Sequence, residues 1–93
     1  MKLKNKKILL IIGGGIAAYK SLDLIRLLRK NKAEVKTILT KSGKEFVTTL
    51  SVASLSNNKP YEDIFDVNNE SKMDHISLSR WADIILVVPT TAN

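Results

Sequence analysis

The feature that most constrains this chain is an aliphatic run that ends abruptly in three glycines. Residues 8–12 are all isoleucine or leucine, residues 13–15 are glycine, and a helical pattern begins at Ile16. An aliphatic run of this length is typical of a strand buried on both faces of a parallel sheet. Glycines let a ligand approach the backbone closely, and free N–H groups at a helix start attract phosphate. The stretch therefore predicts a strand, a tight turn and a helix suited to a phosphorylated ligand.

The glycine spacing also matches a dinucleotide-binding pattern. Gly13-x-Gly15-x-x-Ala18 satisfies G-x-G-x-x-G/A, although a single match of this kind is weakly specific. A ligand-free turn from strand to helix is one alternative. A secretory signal is another, because four lysines among the first seven residues precede the aliphatic run. The glycines interrupt that run after five residues, which is short for the apolar core of a signal peptide and disfavours it.

The composition restricts the classes of protein that remain. Ninety-three residues form at most one small domain, and no apolar run approaches the length of a membrane span. Because the chain has no cysteine, it holds no disulfide, no thiolate metal site and no thiol nucleophile. We expect a cytoplasmic protein with no metal site and no membrane partner.

Positive charge is concentrated in the first half of the chain. Residues 1–44 contain twelve of the fifteen Lys and Arg residues and only two acidic residues, whereas residues 45–93 are net acidic. A basic segment can bind nucleic acid, but only five aromatic residues are scattered through the whole sequence. We therefore expect no nucleic-acid partner, and a positive field that favours a phosphorylated ligand.

Apolar periodicity divides the rest of the chain into helices and strands. An amphipathic helix of about 15 residues follows the glycines, and a second strand covers residues 33–39. This order predicts parallel strands joined by a right-handed crossover. The pattern continues with a helix at residues 44–55, an extended segment at 61–67, a short helix at 73–81 and a buried strand at 84–88. The predicted fold is α/β, with three parallel strands and a ligand edge at their carboxyl ends.

Two of these elements carry specific predictions of burial. The apolar positions of the first helix are Ile16, Leu22, Leu24, Ile25, Leu27 and Leu28. In the second strand, Val35, Thr37 and Leu39 alternate with Glu34, Lys36 and Ile38 on the opposite face.

The residues that follow the second strand favour phosphate over a ribose diol. NAD-binding folds usually place an acidic residue here, about 20 residues beyond the glycines, to hold the ribose hydroxyls. This chain has Thr40-Lys41-Ser42-Gly43 instead. Hydroxyl groups and a lysine suit phosphate, which disfavours NAD and leaves NADP or a mononucleotide open. Alternatively, Ser42 only caps the following helix.

His75 is the only histidine and a candidate proton carrier. An imidazole has an ordinary pKa of about 6.5, which suits acid–base chemistry near neutral pH. A lone histidine in a helical turn is also commonly a capping or packing residue, so the spacing alone leaves both roles open.

Four motifs in a fixed order are more specific than any of these features alone. They are Gly14-Gly15-Ile16-Ala17-Ala18-Tyr19-Lys20, Thr40-Lys41-Ser42 with Phe46, Asp74-His75-Ile76 with Trp81-Ala82-Asp83, and Pro89-Thr90-Thr91-Ala92-Asn93. Together they resemble the homo-oligomeric flavin-containing cysteine decarboxylases over essentially the whole chain. The resemblance implies a Rossmann-like (flavodoxin-like) α/β fold with a parallel three-layer sheet, incomplete in this fragment. Residues 1–93 would be the N-terminal portion of a flavoprotein decarboxylase domain.

The resemblance also implies a cofactor, a reaction and a set of site residues. The cofactor would be FMN, and the reaction would be the decarboxylation of 4′-phospho-N-pantothenoylcysteine to 4′-phosphopantetheine, a step of coenzyme A biosynthesis. His75 would be the catalytic acid–base residue. The partners would be this small phosphorylated, cysteine-containing substrate and identical subunits in a trimer or dodecamer. The residues at the cofactor would be Gly14, Gly15, Ile16, Thr40, Ser42, Phe46, Thr91, Ala92 and Asn93.

Departures from the family pattern leave other functions open. Gly13 stands where relatives often have serine, a mild change. The family's Pro-x-Met-Asn motif and the cysteine of its substrate-covering flap would lie beyond residue 93, so we expect the isolated 93-residue chain to be inactive. Alternatives are a non-catalytic protein that binds flavin or partner subunits, and a relative of the flavin prenyltransferases.

Overall fold

A computed structural model of the protein describes residues 3–62 and 75–88. Two short 3-10 turns, Ile16–Ala18 and Gly43–Glu45, accompany the regular elements. No helix in these ranges is both long enough and apolar enough to cross a membrane. The helices and strands are β1 (Lys7–Ile12), α1 (Tyr19–Lys30), β2 (Glu34–Leu39), α2 (Thr49–Ser56), β3 (Tyr61–Glu62), α3 (His75–Trp81) and β4 (Ile84–Val88).

The strands form one parallel sheet in the order β3-β2-β1-β4. Ile8 in β1 pairs with Val35 in β2 on one side and with Ile84 in β4 on the other. The predicted α/β fold and the parallel pairing of the first and last strands are therefore confirmed. Three strands were predicted, and the described part of the chain contains a fourth. The extra strand is β3, whose two residues pair with Ile38 and Leu39.

Helices cover both faces of the sheet, which gives the predicted three layers. On one face of the sheet, Leu78 of α3 packs against Leu9 of β1 and Ile38 of β2. Ile38 was predicted to lie on the polar side of its strand, which is wrong because α3 covers that side. The core on the other face, which α1 and α2 cover, consists of Ile8, Leu10 and Ile12 of β1, Val35 and Leu39 of β2, Ile25 and Leu28 of α1, and Val52 of α2.

The burial predicted for β4 is also wrong. Ile85 and Val87 are 47% and 51% exposed, although residues 84–88 were predicted to form a buried strand. In the described part of the chain β4 pairs with β1 on one side only. Its two exposed residues alternate with Ile84, Leu86 and Val88, which pack against the core. The aliphatic run alone does not distinguish β4, which has one neighbouring strand in the described part of the chain, from β1, which has two.

The helix after the glycines has the predicted extent but a narrower apolar face. The turn Ile16–Ala18 and the twelve residues of α1 follow one another without a gap. Ile16 and Leu27 were predicted to face the core, yet they are 80% and 47% exposed. Burial in α1 is centred instead on Ser21, Ile25 and Leu28, and Leu22 and Leu24 are partly buried against the same core.

The second helix begins later than predicted. A helix was expected from Lys44, but α2 starts at Thr49. Thr48 is its N-cap, with extended backbone angles and a side-chain oxygen that accepts a hydrogen bond from the N–H of Ser51 at 3.0 Å. This cap fixes the start of α2 and leaves Phe46 in the connection that precedes it. Asn57 ends the helix in the left-handed conformation, with φ of 60°.

The hydroxyl of Thr37 provides a test of the core on the α1 side. Thr37 is 0% exposed, and its Oγ1 has no hydrogen-bond partner among the described residues. An unpaired buried hydroxyl costs about 1–3 kcal/mol. We expect Thr37→Val to raise the free energy of unfolding by about 1 kcal/mol, as measured by urea denaturation.

A matched control lies two residues earlier in the same strand. Val35 is likewise 0% exposed, and Val35→Thr is expected to lower the free energy of unfolding because it buries a new hydroxyl. If Thr37→Val also lowers it, the Thr37 hydroxyl has a favourable native interaction and the expectation is wrong.

Candidate functional site

Two loops leave the sheet side by side at its carboxyl edge. We call residues 13–16 the glycine loop and residues 40–48 the β2–α2 loop. The N–H of Gly13 donates a hydrogen bond to the carbonyl oxygen of Val88 at 2.7 Å, and the N–H of Thr40 donates to that of Ile12 at 3.0 Å. Parallel strands end at one edge, so these bonds bring the glycine loop between the ends of β2 and β4. This is the edge at which open α/β sheets bind ligands.

Gly14 and Ser42 are in direct contact across the two loops. A Cβ atom added to Gly14 would lie 2.6 Å from the Cβ of Ser42, which is closer than two carbon atoms can approach. A Cβ atom added to Gly13 would have nothing within 4 Å. The glycine at position 14 is therefore needed for the contact between the loops, and the structure brings together two of the predicted cofactor residues.

The glycine loop offers unpaired backbone donors. Gly15 has a φ of 124°, a backbone conformation that residues other than glycine rarely adopt. Its carbonyl oxygen accepts a hydrogen bond from the N–H of Ala18 at 2.9 Å and so starts the 3-10 turn. The N–H groups of Gly14, Gly15 and Ile16 have no acceptor among the described residues. Three successive free N–H groups next to a helix start form a suitable site for an anion.

The two hydroxyl residues of the β2–α2 loop have different surroundings. Thr40 Oγ1 donates to the carbonyl oxygen of Ile12 at 3.1 Å and accepts from the N–H of Gly43 at 3.0 Å. Ser42 stands at the N-cap position of the turn Gly43–Glu45, but its side chain makes no cap hydrogen bond and is exposed. The alternative that Ser42 only caps a helix is therefore wrong, because Thr40 provides the cap.

Gly43 was missed as a site residue by the sequence analysis. A Cβ atom at this position would lie 2.5 Å from the carbonyl oxygen of Ile12 and 3.0 Å from Leu39 Cδ1. Gly43 thus lets the β2–α2 loop lie directly on the end of β1. Its place three residues after Thr40 was the available signal, because a hydroxyl side chain commonly accepts from the N–H three positions later.

Apolar side chains lie beside the polar loops. The rings of Tyr19 and Phe46 meet edge to face, with centroids 6.3 Å apart and planes at 79°. Ile16 and Tyr19 are 80% and 55% exposed, and Phe46 is half-buried. Exposed apolar residues next to unpaired N–H groups suit a ligand with an aromatic ring at one end and an anionic group at the other.

The two lysines of the β2–α2 loop differ in their partners. Lys44 forms an ion pair with Glu62, which belongs to the short strand β3. Lys41 is exposed and has no ion-pair partner within the part of the chain that the structure describes. The positive charge of Lys41 is therefore available to a ligand at this edge, which supports the predicted preference for phosphate.

The first residue of α3 is His75, and the helix ends near the amino edge of the sheet. Asp83, two residues after α3, lies at this edge, where its carboxylate accepts a hydrogen bond from the N–H of Lys7 at 2.8 Å. Leu78, 0% exposed, packs higher on the sheet against Leu9. His75 precedes Leu78 by three residues, so its backbone lies about 4.5 Å further along the helix axis, away from the amino-edge end of α3.

Contacts with the sheet hold α3 in this position. Trp81 is half-buried, and the ammonium group of Lys36 lies 4.5 Å from the centroid of its ring.

Thr91, Ala92 and Asn93, which were predicted to complete the cofactor site, lie outside the described residues. The roles predicted for these three residues and for the side chain of His75 remain predictions.

Comparisons with known proteins agree with this geometry. Residues 1–93 match the flavoprotein family. The chain is 47% identical over 93 residues to the coenzyme A biosynthesis bifunctional protein CoaBC of Haemophilus influenzae, covering 100% of this chain and 23% of that protein. The identity to CoaBC of Escherichia coli K12 is 41% over 93 residues, with the same coverage.

A third relative is similar to the chain to the same degree. CoaBC of Bacillus subtilis is 43% identical over 91 residues, which are 98% of this chain and 22% of that protein. The chain thus spans 22–23% of the length of these relatives. The family match extends over every residue of the sequence. The chain therefore belongs to the flavoprotein family, whose cofactor is a flavin.

Proposed function

We propose that this chain is part of a phosphopantothenoylcysteine decarboxylase, which converts 4′-phospho-N-pantothenoylcysteine to 4′-phosphopantetheine with FMN. The observation that carries the proposal is the contact between Gly14 and Ser42, which joins a flavoprotein glycine loop to a phosphate-suited loop. The relatives that match the chain over 98–100% of its length are bifunctional proteins of coenzyme A biosynthesis. This function requires a phosphorylated substrate, and the free charge of Lys41 is compatible with it.

The residues at the carboxyl edge fit FMN in particular. FMN combines a flat aromatic ring with a single phosphate group. The free N–H groups of Gly14, Gly15 and Ile16 supply donors for the phosphate, and no acidic side chain lies between residues 35 and 44 to repel it. The exposed side chain of Ile16 and the aromatic pair of Tyr19 and Phe46 supply apolar surface for the ring. NAD fits less well, because the chain has no acidic residue directly after β2 to hold the ribose hydroxyls of NAD.

The roles of the chain's own residues follow from these positions. When bound, the flavin supplies reversible two-electron chemistry at the thiol-bearing carbon of the substrate. The glycine loop holds the phosphate of the cofactor, and the hydroxyl of Ser42 donates a hydrogen bond to it. His75, on α3, transfers a proton at the carboxylate-bearing end of the substrate. The backbone of His75 begins α3, which lies on the face of the sheet opposite α1.

We also propose that the complete protein is a cytoplasmic homo-oligomer. Ile16 and Tyr19 expose apolar surface beside the candidate site, and a second copy of the chain could cover it. Sedimentation of the full-length protein with and without FMN would measure the assembly, and a monomer under both conditions would contradict it.

Replacing Gly15 with a charged residue tests whether the glycine loop binds the phosphate of FMN. Gly15→Asp places a carboxylate on the loop proposed to bind phosphate, so we expect FMN to be lost from the purified full-length protein, as measured by visible absorbance. The matched control is Gly15→Ala, which has the same strain at φ of 124° but no charge.

Riboflavin separates the two effects, because it has the flavin ring without the phosphate. The carboxylate of Gly15→Asp should weaken FMN binding more than riboflavin binding, relative to Gly15→Ala. If the folded Gly15→Asp protein keeps its normal flavin content, the phosphate does not lie at this loop. The unsubstituted full-length protein tests the reaction itself. If it binds flavin but releases no CO₂ from the substrate, it is a non-catalytic flavin-binding protein.

A further inference from the structure

We propose that Thr40 is a positioning residue that holds Ser42 against Gly14, and that its hydroxyl does not donate a hydrogen bond to the cofactor. The inference rests on the flavin site proposed above and deepens it. It also revises the sequence-based expectation that Thr40 and Ser42 both hold oxygens of the flavin.

The donor capacity of the Thr40 hydroxyl is already used. A threonine hydroxyl has one proton to donate, and in this structure it goes to the carbonyl oxygen of Ile12 at 3.1 Å. The same oxygen accepts from the N–H of Gly43 at 3.0 Å. Phosphate oxygens only accept hydrogen bonds, so Thr40 has no donor left for them unless the bond to Ile12 breaks. A ribityl oxygen that needs a donor meets the same restriction.

The backbone of Thr40 strengthens this connection between the strand ends. Its N–H donates to the carbonyl oxygen of Ile12 at 3.0 Å, and its own carbonyl oxygen accepts from the N–H of Lys44 at 3.1 Å. With the two hydroxyl bonds, Thr40 ties the end of β1 to the turn Gly43–Glu45. We call this arrangement of Ile12, Thr40 and Gly43 the Thr40 clasp.

Ser42 lies on the part of the loop that the clasp holds. It is flanked by Lys41 and Gly43, and its Cβ occupies the space next to Gly14. The hydroxyl of Ser42 is exposed and donates no hydrogen bond to the described part of the chain, so its proton is available to a ligand. Thr40 therefore influences the ligand through the position of Ser42. This assigns different tasks to two hydroxyl residues that the sequence treats alike.

A double-mutant cycle on the full-length protein tests the assignment, with FMN affinity measured by the quenching of flavin fluorescence. Thr40→Val keeps the shape of the side chain and removes both hydroxyl bonds, so we expect FMN binding to weaken about tenfold or more. Thr40→Ser restores the hydroxyl and should bind FMN within about threefold of the parent. In a Ser42→Ala background, Thr40→Val should weaken FMN binding by less than about twofold, because the residue it positions is gone.

Two results would overturn the assignment. If Thr40→Val and Ser42→Ala weaken FMN binding independently, so that their effects multiply in the double variant, Thr40 contacts the flavin directly. If Thr40→Val binds FMN like the parent, the clasp has no influence on the site.

Hydrogen exchange of the flavin-free parent tests the clasp without any cofactor or variant. The amide of Gly43 should exchange slowly because Thr40 Oγ1 accepts from it. An unprotected Gly43 amide would rule out the clasp even if Thr40→Val does not fold. If the parent does not bind FMN but the Gly43 amide is protected, the proposed flavin function fails and the clasp stands.

Discussion

Replacing His75 with asparagine is expected to leave FMN bound and to reduce decarboxylation of 4′-phospho-N-pantothenoylcysteine by about 10²–10⁴-fold, the usual contribution of a general acid–base residue. Asparagine keeps a polar side chain of similar size but cannot carry a proton between donor and acceptor. The measurement is CO₂ release by the full-length protein at saturating substrate, with flavin content determined by absorbance in the same sample.

A control on the same helix separates catalysis from packing. Arg80 is exposed in the last turn of α3, and Arg80→Gln should keep both flavin and turnover. The role of His75 would be structural if His75→Asn retained turnover within a few-fold of the parent. It would also be structural if the variant lost flavin and turnover together, because a proton carrier is not needed to hold the cofactor.

Replacing Gly14 with alanine is expected to have the second largest effect, on FMN affinity. The added methyl group would lie 2.6 Å from Ser42 Cβ and 3.4 Å from its carbonyl carbon and oxygen, so the two loops must separate. Overpacking of this kind typically costs about 1–3 kcal/mol, which corresponds to about 5- to 150-fold in affinity if the strain is relieved by losing the bound geometry. Titration of the full-length variant with FMN measures it.

The neighbouring glycine offers a matched control. A methyl group at Gly13 would meet nothing within 4 Å, so Gly13→Ala should bind FMN within about twofold of the parent. The prediction depends on this difference between adjacent positions. Equal losses in the two variants would mean that general flexibility of the glycine loop matters, and not the contact between Gly14 and Ser42.

The main architecture, and the edge of the sheet that carries the candidate site, were predictable from the order of residues alone. The aliphatic runs of β1 and β4 each precede a loop, and the spacing between strands leaves room for a crossover helix, which is sufficient to predict parallel pairing. The glycines after β1 and the hydroxyl residues after β2 must then lie at one edge, because parallel strands end together. Local sequence carries this information, since strand and helix periodicities are properties of consecutive residues.

Which surfaces are covered, and how the hydroxyl groups of the candidate site are used, depend on contacts between residues far apart in the sequence. Ile38 alternates with apolar neighbours like a solvent-facing residue, yet α3, almost 40 residues later, buries it. The runs of β1 and β4 look alike, but one lies inside the sheet and the other has a single described neighbour. Thr40 and Ser42 look equally suited to phosphate in the sequence. The proton of Thr40 goes to the carbonyl oxygen of Ile12, 28 residues earlier, and a hydrogen bond over that separation exists only after the strands have paired.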